Sequence, residues 1–304
     1  FSGGRIPLDA PAAEGAVAER IGGPLGLVKE HAALGISEMV DENMANAALV
    51  HAIESGKDLQ ARTLIAFGGA APLHAARVAE KLGIQRVLIP ANAGVGSAVG
   101  LLRAPVAYEV VRSRLMRLSD FDAAAVNRLI AEMRAEAEAI VKSGAGEGAL
   151  AELRSAFMRY RGQGHEIAVE LPVREFNAAD SATFTGLFEA AYRKLYSRSI
   201  PGAEIEVLSW AVALSAPAEG RLAAPAPEQP SEPEPRLRRR LFDPGSGKFL
   251  DAPVYRRSEL APGACVSGPA VIAEDDTSTV ISPRFDARID GFGYIELNRR
   301  RVDP

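Results

Sequence analysis

Phe67-Gly68-Gly69-Ala70-Ala71-Pro72-Leu73-His74 is the segment whose residue types are best suited to chemistry. An apolar run over residues 63–67 ends in two glycines, and Pro72 opens a helix at once. Such a junction exposes backbone N–H groups at the positive end of a helix dipole, and the lack of bulky side chains lets a phosphate or ribose come close. A plain strand-to-helix turn also needs glycine for its backbone angles, so the motif alone leaves both readings open. His74 lies one helical turn past the glycines, where it either faces a ligand or stands as a helix-surface imidazole.

The remaining polar clusters carry less. Gly94-Val95-Gly96-Ser97-Ala98-Val99-Gly100 imitates a dinucleotide fingerprint, but its spacing is off by one residue and no acidic residue follows at the expected distance. Tight packing is the reading preferred there. His31, His51, His74 and His165 sit on separate elements without metal-ligand spacing, and no metal site is expected. Arg159-Tyr160-Arg161-Gly162-Gln163-Gly164-His165-Glu166 surrounds a glycine turn, either orienting a polar ligand or subunit or forming a solvated hairpin. The acidic run Glu274-Asp275-Asp276 suits a cation or, as the preferred reading, a solvated turn. Arg238 to Arg240 and Arg299 to Arg301 read as solvated strand and tail positions.

The elements that position these residues fall into three stretches. Helical spacing covers residues 8–21 and 28–55, the second with an apolar stripe of Ile36, Val40, Met44, Ala47 and Ile53. Two strand, glycine turn, helix units follow, with strands at 63–67 and 86–89 and helices at 72–82 and 97–102, which indicates α/β packing. Ser119 with Asp122 three residues on reads as the capping signature of a long helix whose apolar face runs from Val126 to Val141. Two strands over 150–171, a helix at 181–197 and a strand at 205–214 complete an α+β layer. A Pro, Ala and Glu-rich tether then leads into short strands at 237–242, 249–255, 270–273, 279–282 and 294–297, read as a small all-β domain. The domain boundaries expected are therefore 1–113, 114–216, a linker at 217–235, and 236–304.

Composition narrows the function classes. The 304 residues carry a formal net charge of −4, which argues against a protein built to grip nucleic acid. The one cysteine, Cys265, cannot form an internal disulfide, and no apolar run reaches about eighteen residues, so a reducing, cytoplasmic setting without a membrane span is expected. The first residue is Phe1 rather than Met, which reads as a processed chain or part of a longer one.

Five segments together resemble the hydantoinase A and 5-oxoprolinase family of ATP-dependent enzymes, which includes acetone carboxylase β-type subunits. They are Asp41-Glu42-Asn43-Met44-Ala45, the Ala66 to Ala75 stretch with the two glycines, Gly94 to Leu102, Arg159 to Gly164, and Gly268-Pro269-Ala270-Val271-Ile272-Ala273-Glu274, in the family's order. The resemblance implies the second lobe of an actin-like, sugar-kinase-like ATPase core, followed by the family's C-terminal region. In that scheme Gly68, Gly69 and Ala70 meet the nucleotide, with His74 beside them and Asn43 on a nearby helix. ATP with Mg²⁺ would activate the oxygen of a cyclic amide or ketone. A hydantoinase B-type subunit or domain and an oligomeric assembly are implied as partners. Two departures stand out: Ala71 replaces a glycine usual in the family, and Asn46 and Leu49 occupy positions where arginines are common. The family's N-terminal lobe and its phosphate loop have no counterpart, since Asp290-Gly291 reads as a turn. Catalytic residues are therefore expected in a missing N-terminal part, leaving the isolated chain inactive. The competing reading is a non-catalytic module that docks a partner through the 126–141 helix and the β-rich tail. A sugar or acetate kinase is disfavoured by the Arg159 to Gly164 hairpin.

Overall fold

The computed structural model of the protein describes residues 5–217 and 225–300, which divide into two compact units. Residues 5–102 and 225–300 build one unit, and residues 103–217 the other. Phe1, Arg301 and positions 218–224 of the expected linker lie outside the described residues.

In the first unit Asp9 caps α1 (Ala10–Val17), its carboxylate accepting from the Ala12 N–H at 2.9 Å. The chain continues through a π turn, Ala18–Gly22, and the single turn α2 (Gly23–Leu25) into the 26-residue α3 (Lys29–Glu54). Strand β1 (Thr63–Ile65), helix α4 (Ala71–Leu82), strand β2 (Arg86–Ile89) and helix α5 (Gly96–Arg103) follow. Strands β1 and β2 pair in parallel, as their helical crossover requires.

That pair is extended by the far end of the chain. Strand β13 (Ile295–Arg299) runs antiparallel to β2 with Ile295 opposite Ile89 and Leu297 opposite Val87. Beyond it lie β12 (Phe285–Ile289) and β9 (Cys265–Ser267), giving the order β1-β2-β13-β12-β9. A second sheet has the order β11-β10-β8-β7, from β7 (Leu237–Asp243), β8 (Lys248–Arg256), β10 (Ala270–Ala273) and β11 (Ser278–Ile281). One core joins both regions, with Ala75, Ala79 and Ile84 packed alongside Ile272, Phe285, Ile295 and Leu297. The region from 236 onward therefore does not fold as a separate all-β domain. Strand periodicity reveals which face is apolar and leaves the pairing partner unspecified.

The expected tether also behaves differently over its described part. Ala226 donates its N–H to the Gly291 carbonyl at 2.7 Å, Gln229 to Pro262 at 3.2 Å, and the Cys265 N–H reaches Ser231 at 2.8 Å. A proline-rich chain has no core of its own, but its extended backbone still has groups to pair, and this one is laid along the sheet as a strap.

The second unit is a four-stranded antiparallel sheet in the order β3-β6-β4-β5, from β3 (Ala107–Arg117), β4 (Ala151–Tyr160), β5 (Ile167–Leu171) and β6 (Ile205–Ser215). Its first and last strands are neighbours, with Ala107 opposite Ser215. Helices α6 (Ala123–Ala145) and α7 (Asp180–Tyr196) pack on it. Strand β3 is absent from the sequence reading because its residues are nearly all exposed, which erases the apolar alternation. Val126, Ile130, Met133, Ala137 and Val141 of α6 are all buried in the core of this unit. The helix expected to dock a partner is thus already committed to its own sheet.

Aromatic rings fill that core. Phe184 meets Phe121 and Phe176 edge-on at 5.2 and 5.0 Å, and Tyr160 meets Phe188 and Tyr192, each at 4.9 Å. Several side chains of the Arg159 to Glu166 turn are engaged within this unit. Arg159 pairs with Glu206 at 2.6 Å, Arg161 with Glu204 at 2.7 Å, and the Gln163 amide donates to the Tyr192 hydroxyl at 2.8 Å. These are structural contacts. Replacing the fully buried Phe184 with alanine is expected to destabilise this unit by ~3–5 kcal/mol. Urea unfolding followed through the single tryptophan, Trp210, measures it directly, and a loss below about 1 kcal/mol would contradict the packing described.

Candidate functional site

The glycine turn follows directly from β1. Ala66 still donates to the Leu88 carbonyl at 2.9 Å, after which Gly68 adopts φ +108°, a conformation that side chains other than glycine rarely take. Its N–H is held by the Ala93 carbonyl at 2.6 Å. Ala70 then caps α4 without any side-chain hydrogen bond, and Pro72 sits in the first turn. The start of α4 therefore keeps the positive end of a helix dipole without a side-chain cap, although Pro72 has no N–H and the Leu73 N–H is taken by the Ala70 carbonyl at 3.0 Å.

A loop from the C-terminal region closes on this turn. The Thr277 hydroxyl donates to the Gly69 carbonyl at 2.8 Å. Because a trans peptide points its C=O and the next N–H in opposite directions, this bond directs the Ala70 N–H away from Thr277. The Asp276 carboxylate fills the space over Gly94, where an added Cβ would lie 1.9 Å from Oδ2. Gly94 thus serves close packing against a loop, while a Cβ on Gly96 would come 3.2 Å from the Phe67 ring. Packing thus accounts for Gly94 and Gly96, while a Cβ on Gly100 would meet open space.

Beside Gly69 lies a cleft of 540 Å³ whose walls include Leu73, Arg239, Arg256, Asp276 and Thr277. A neighbouring cleft of 350 Å³ brings Asn92 and Arg257 up to the same acidic run. Asp275 pairs with Arg256 at 2.9 Å near the surface. Glu274 and Arg257 are mostly buried and 3.5 Å apart. Burial pushes the Glu274 carboxyl up and the Arg257 guanidinium down, each partly opposed by the other's charge. Glu274 and Asp275 of the acidic run are thus each paired with an arginine, and Asp276 packs over Gly94. Among the described residues, no group of three His, Cys, Asp or Glu is placed to hold a metal ion.

Gly68, Gly69 and Ala70 form the turn, but the other two candidate residues stand apart. His74 Nδ1 lies 2.8 Å from Asp41 Oδ1 on α3. The pair lines a separate cavity of 180 Å³ closed by Phe242 and Pro244. Asp41 is only 3% exposed, and burial raises its carboxyl above the ordinary range, with His74 acting in the opposite sense. Asn43, two positions on, is turned about 200° around α3 and is exposed. Asp41, Thr277 and Asp276 were missed as contact residues. Asp41 had a legible signal: it is a carboxylate in line with Ala45 and Ala52 on one helix face. Thr277 had none, since its partner lies 208 positions away.

An ion-pair network also ties α3 to α4. Arg77 grips both Glu38 oxygens at 2.8 Å, and Lys81 adds a third contact at 3.0 Å. These cations hold the Glu38 carboxyl down at about 2.

The several-sheet, mixed α/β arrangement recurs in two solved structures. ATP-dependent caprolactamase from Pseudomonas jessenii matches with TM-score 0.76 and 29% identity, over 98% of this chain and 44% of that one. Nucleotide-free acetone carboxylase matches with TM-score 0.74 and 26% identity, over 99% and 44%. In sequence, the chain is 30% identical to caprolactamase subunit alpha of P. jessenii over 97% of its own length and 43% of the relative's. It is also 30% identical to the acetone carboxylase beta subunit of Xanthobacter autotrophicus, over 98% and 43%. It spans less than half the length of these relatives. A family profile described as Hydantoinase/oxoprolinase matches residues 1–110, and one described as Hydantoinase/oxoprolinase C-terminal domain matches 122–300. The chain belongs to the hydantoinase/oxoprolinase family.

Two outcomes test this geometry. Gly94→Ala should destabilise the first unit by ~1–3 kcal/mol, and Asp276→Ala in the same chain should recover most of that loss. Additive losses in a denaturant double-mutant cycle would place Asp276 elsewhere. Because the folded-state value of Glu38 is depressed, its stabilisation is present above about pH 4.5 and is lost as pH falls through about 2. Glu38→Gln should therefore lower Tm at pH 7 and flatten the fall in Tm between pH 4.5 and 2. The wild-type excess at pH 7 should be ~2 kcal/mol, allowing for the quarter of the side chain that faces water. Parallel Tm profiles for the two proteins would count against it.

Proposed function

We propose that this chain is part of an ATP-dependent enzyme that opens a cyclic amide, with the Gly68-Gly69-Ala70 turn contributing to the nucleotide site of an actin-like lobe. The observation carrying this reading is the turn itself: a strand that ends at a positive-φ glycine and runs into an uncapped helix, beside a cleft containing Arg239 and Arg256. Its residues fit a phosphate-bearing ligand. Gly69 offers no side chain to exclude one, the Ala70 N–H is directed by the Thr277 bond, and Arg239 supplies positive charge in a cleft where Arg256 is paired to Asp275 and where Glu274 and Asp276 also line the wall. Relatives named caprolactamase and 5-oxoprolinase, and the ATP-dependence in a relative's description, supply the reaction class.

Phosphoryl transfer from ATP to the amide oxygen, releasing ADP with Mg²⁺ accompanying the phosphates, would activate the carbon to attack by water; loss of the ring nitrogen from that adduct would break the C–N bond and leave an acyl phosphate, which a second water would hydrolyse to carboxylate and phosphate. In this scheme the chain binds and orients. The Thr277 hydroxyl fixes the Gly69 peptide, Asp276 over Gly94 locks the adjacent loop, and Arg256 holds Asp275 beside the cleft. The groups that perform the chemistry are assigned to the rest of a longer polypeptide. A hydantoinase B-type subunit is the partner proposed, in keeping with relatives named as subunits.

The complete gene product should release ADP faster with a cyclic amide present, in a panel of 5-oxoproline, hydantoin, caprolactam, and acetone with bicarbonate. Gly69→Asp, which sets a carboxylate against the nucleotide phosphates, should lower that turnover by roughly 100-fold or more while leaving Tm nearly unchanged. Unaltered turnover in the variant would remove the assigned site, and stimulation by acetone alone would replace the amide with a ketone.

A further inference from the structure

Helix α3 packs on α4 along one side, while α1 and the π turn cover its start, where Lys29 pairs with Glu14. The buried side carries Asp41, Ala45 and Ala52, with Leu34, Glu38 and Ala48 half-buried beside them, and packs on α4. On the opposite side Ile36, Val40, Asn43, Ala47 and Val50 recur at intervals of four, three, four and three residues. That is the spacing of a helix–helix seam, and over its length it extends ~21 Å. These residues are exposed, Ile36 at 42% and Val50 at 55%, with Met39, Met44 and Ile53 flanking them. An exposed apolar row of this length marks an interaction surface.

We propose that this seam receives an amphipathic helix from the portion of a family-length polypeptide lying outside the matched stretch. Two observations select that occupant. The curated relatives are more than twice as long as the stretch they share with this chain, so a family-length product has ample chain to supply such a helix. Five seam residues also fall well short of the roughly 20–30 residues a side that separate proteins use to associate stably. A covalently connected helix needs no such area, because the linkage supplies its effective concentration. In this arrangement Asn43 sits mid-seam, where a single amide fixes the register of the two helices by demanding a polar partner.

Thiol labelling tests the assignment. With Cys265→Ala removing the native thiol, Val40→Cys and Val50→Cys are each made in the 304-residue chain and in the complete gene product, with Glu132→Cys on α6 as the exposed control. Both seam cysteines should label as fast as the control in the 304-residue chain. In the complete product, at concentrations where light scattering shows single chains, they should label slower by roughly tenfold or more. Equal labelling in both proteins overturns the proposal. So does protection in the 304-residue chain that grows with its concentration, which would make a second copy the occupant. An open reading frame that adds nothing to these residues overturns it as well.

Discussion

The antiparallel pairing of β13 with β2 is the contact on which the first unit depends. Strands β1 and β2 alone make a two-stranded parallel ribbon, which has too little apolar area to persist. With β13 in place, Ile295 and Leu297 join Val87 and Ile89 in one core, and β12 and β9 follow. The same return of the chain brings the 274–277 loop to the glycine turn, so Thr277 can hold the Gly69 carbonyl. Without that pairing, the turn would be a loose strand-to-helix junction.

What the sequence disclosed divides along local and long-range lines. The β1-Gly68-Gly69-α4 junction and the apolar face of α6 were legible because each is written within a few residues, whereas the cap of α6 falls on Asp122, three residues after Ser119. The pairings of β13 with β2 and of Thr277 with Gly69 join residues about 208 positions apart, and no periodicity reports them. Helix α3 shows a subtler failure. Its apolar stripe of Ile36, Val40, Met44, Ala47 and Ile53 is exposed, and Asp41, Ala45 and Ala52 make the buried line instead. Small residues allow two helices to come close, and a hydrophobicity pattern ranks them below Ile36 or Val40.

The α3–α4 contact combines opposing electrostatic effects. Glu38, gripped by Arg77 and Lys81, favours its charged form, whereas Asp41 is driven toward neutrality by burial and held back by His74. Two carboxylates on one helix face are thus tuned in opposite directions by their surroundings. The candidate site residues were legible as a turn, Gly68 to Ala70, and illegible as a constellation. His74 faces Asp41, and Asn43 faces outward.

The second unit enters through β3 and leaves through β6, and Ala107 and Ser215 stand opposite each other on those neighbouring strands. Its two ends are therefore only ~5 Å apart across a ladder rung. Topologically the unit is an insertion: about a third of the chain hangs from a doorway one strand spacing wide. Such an element makes little demand on the backbone at its point of entry, so changes in its length or packing need not disturb the strands that flank it.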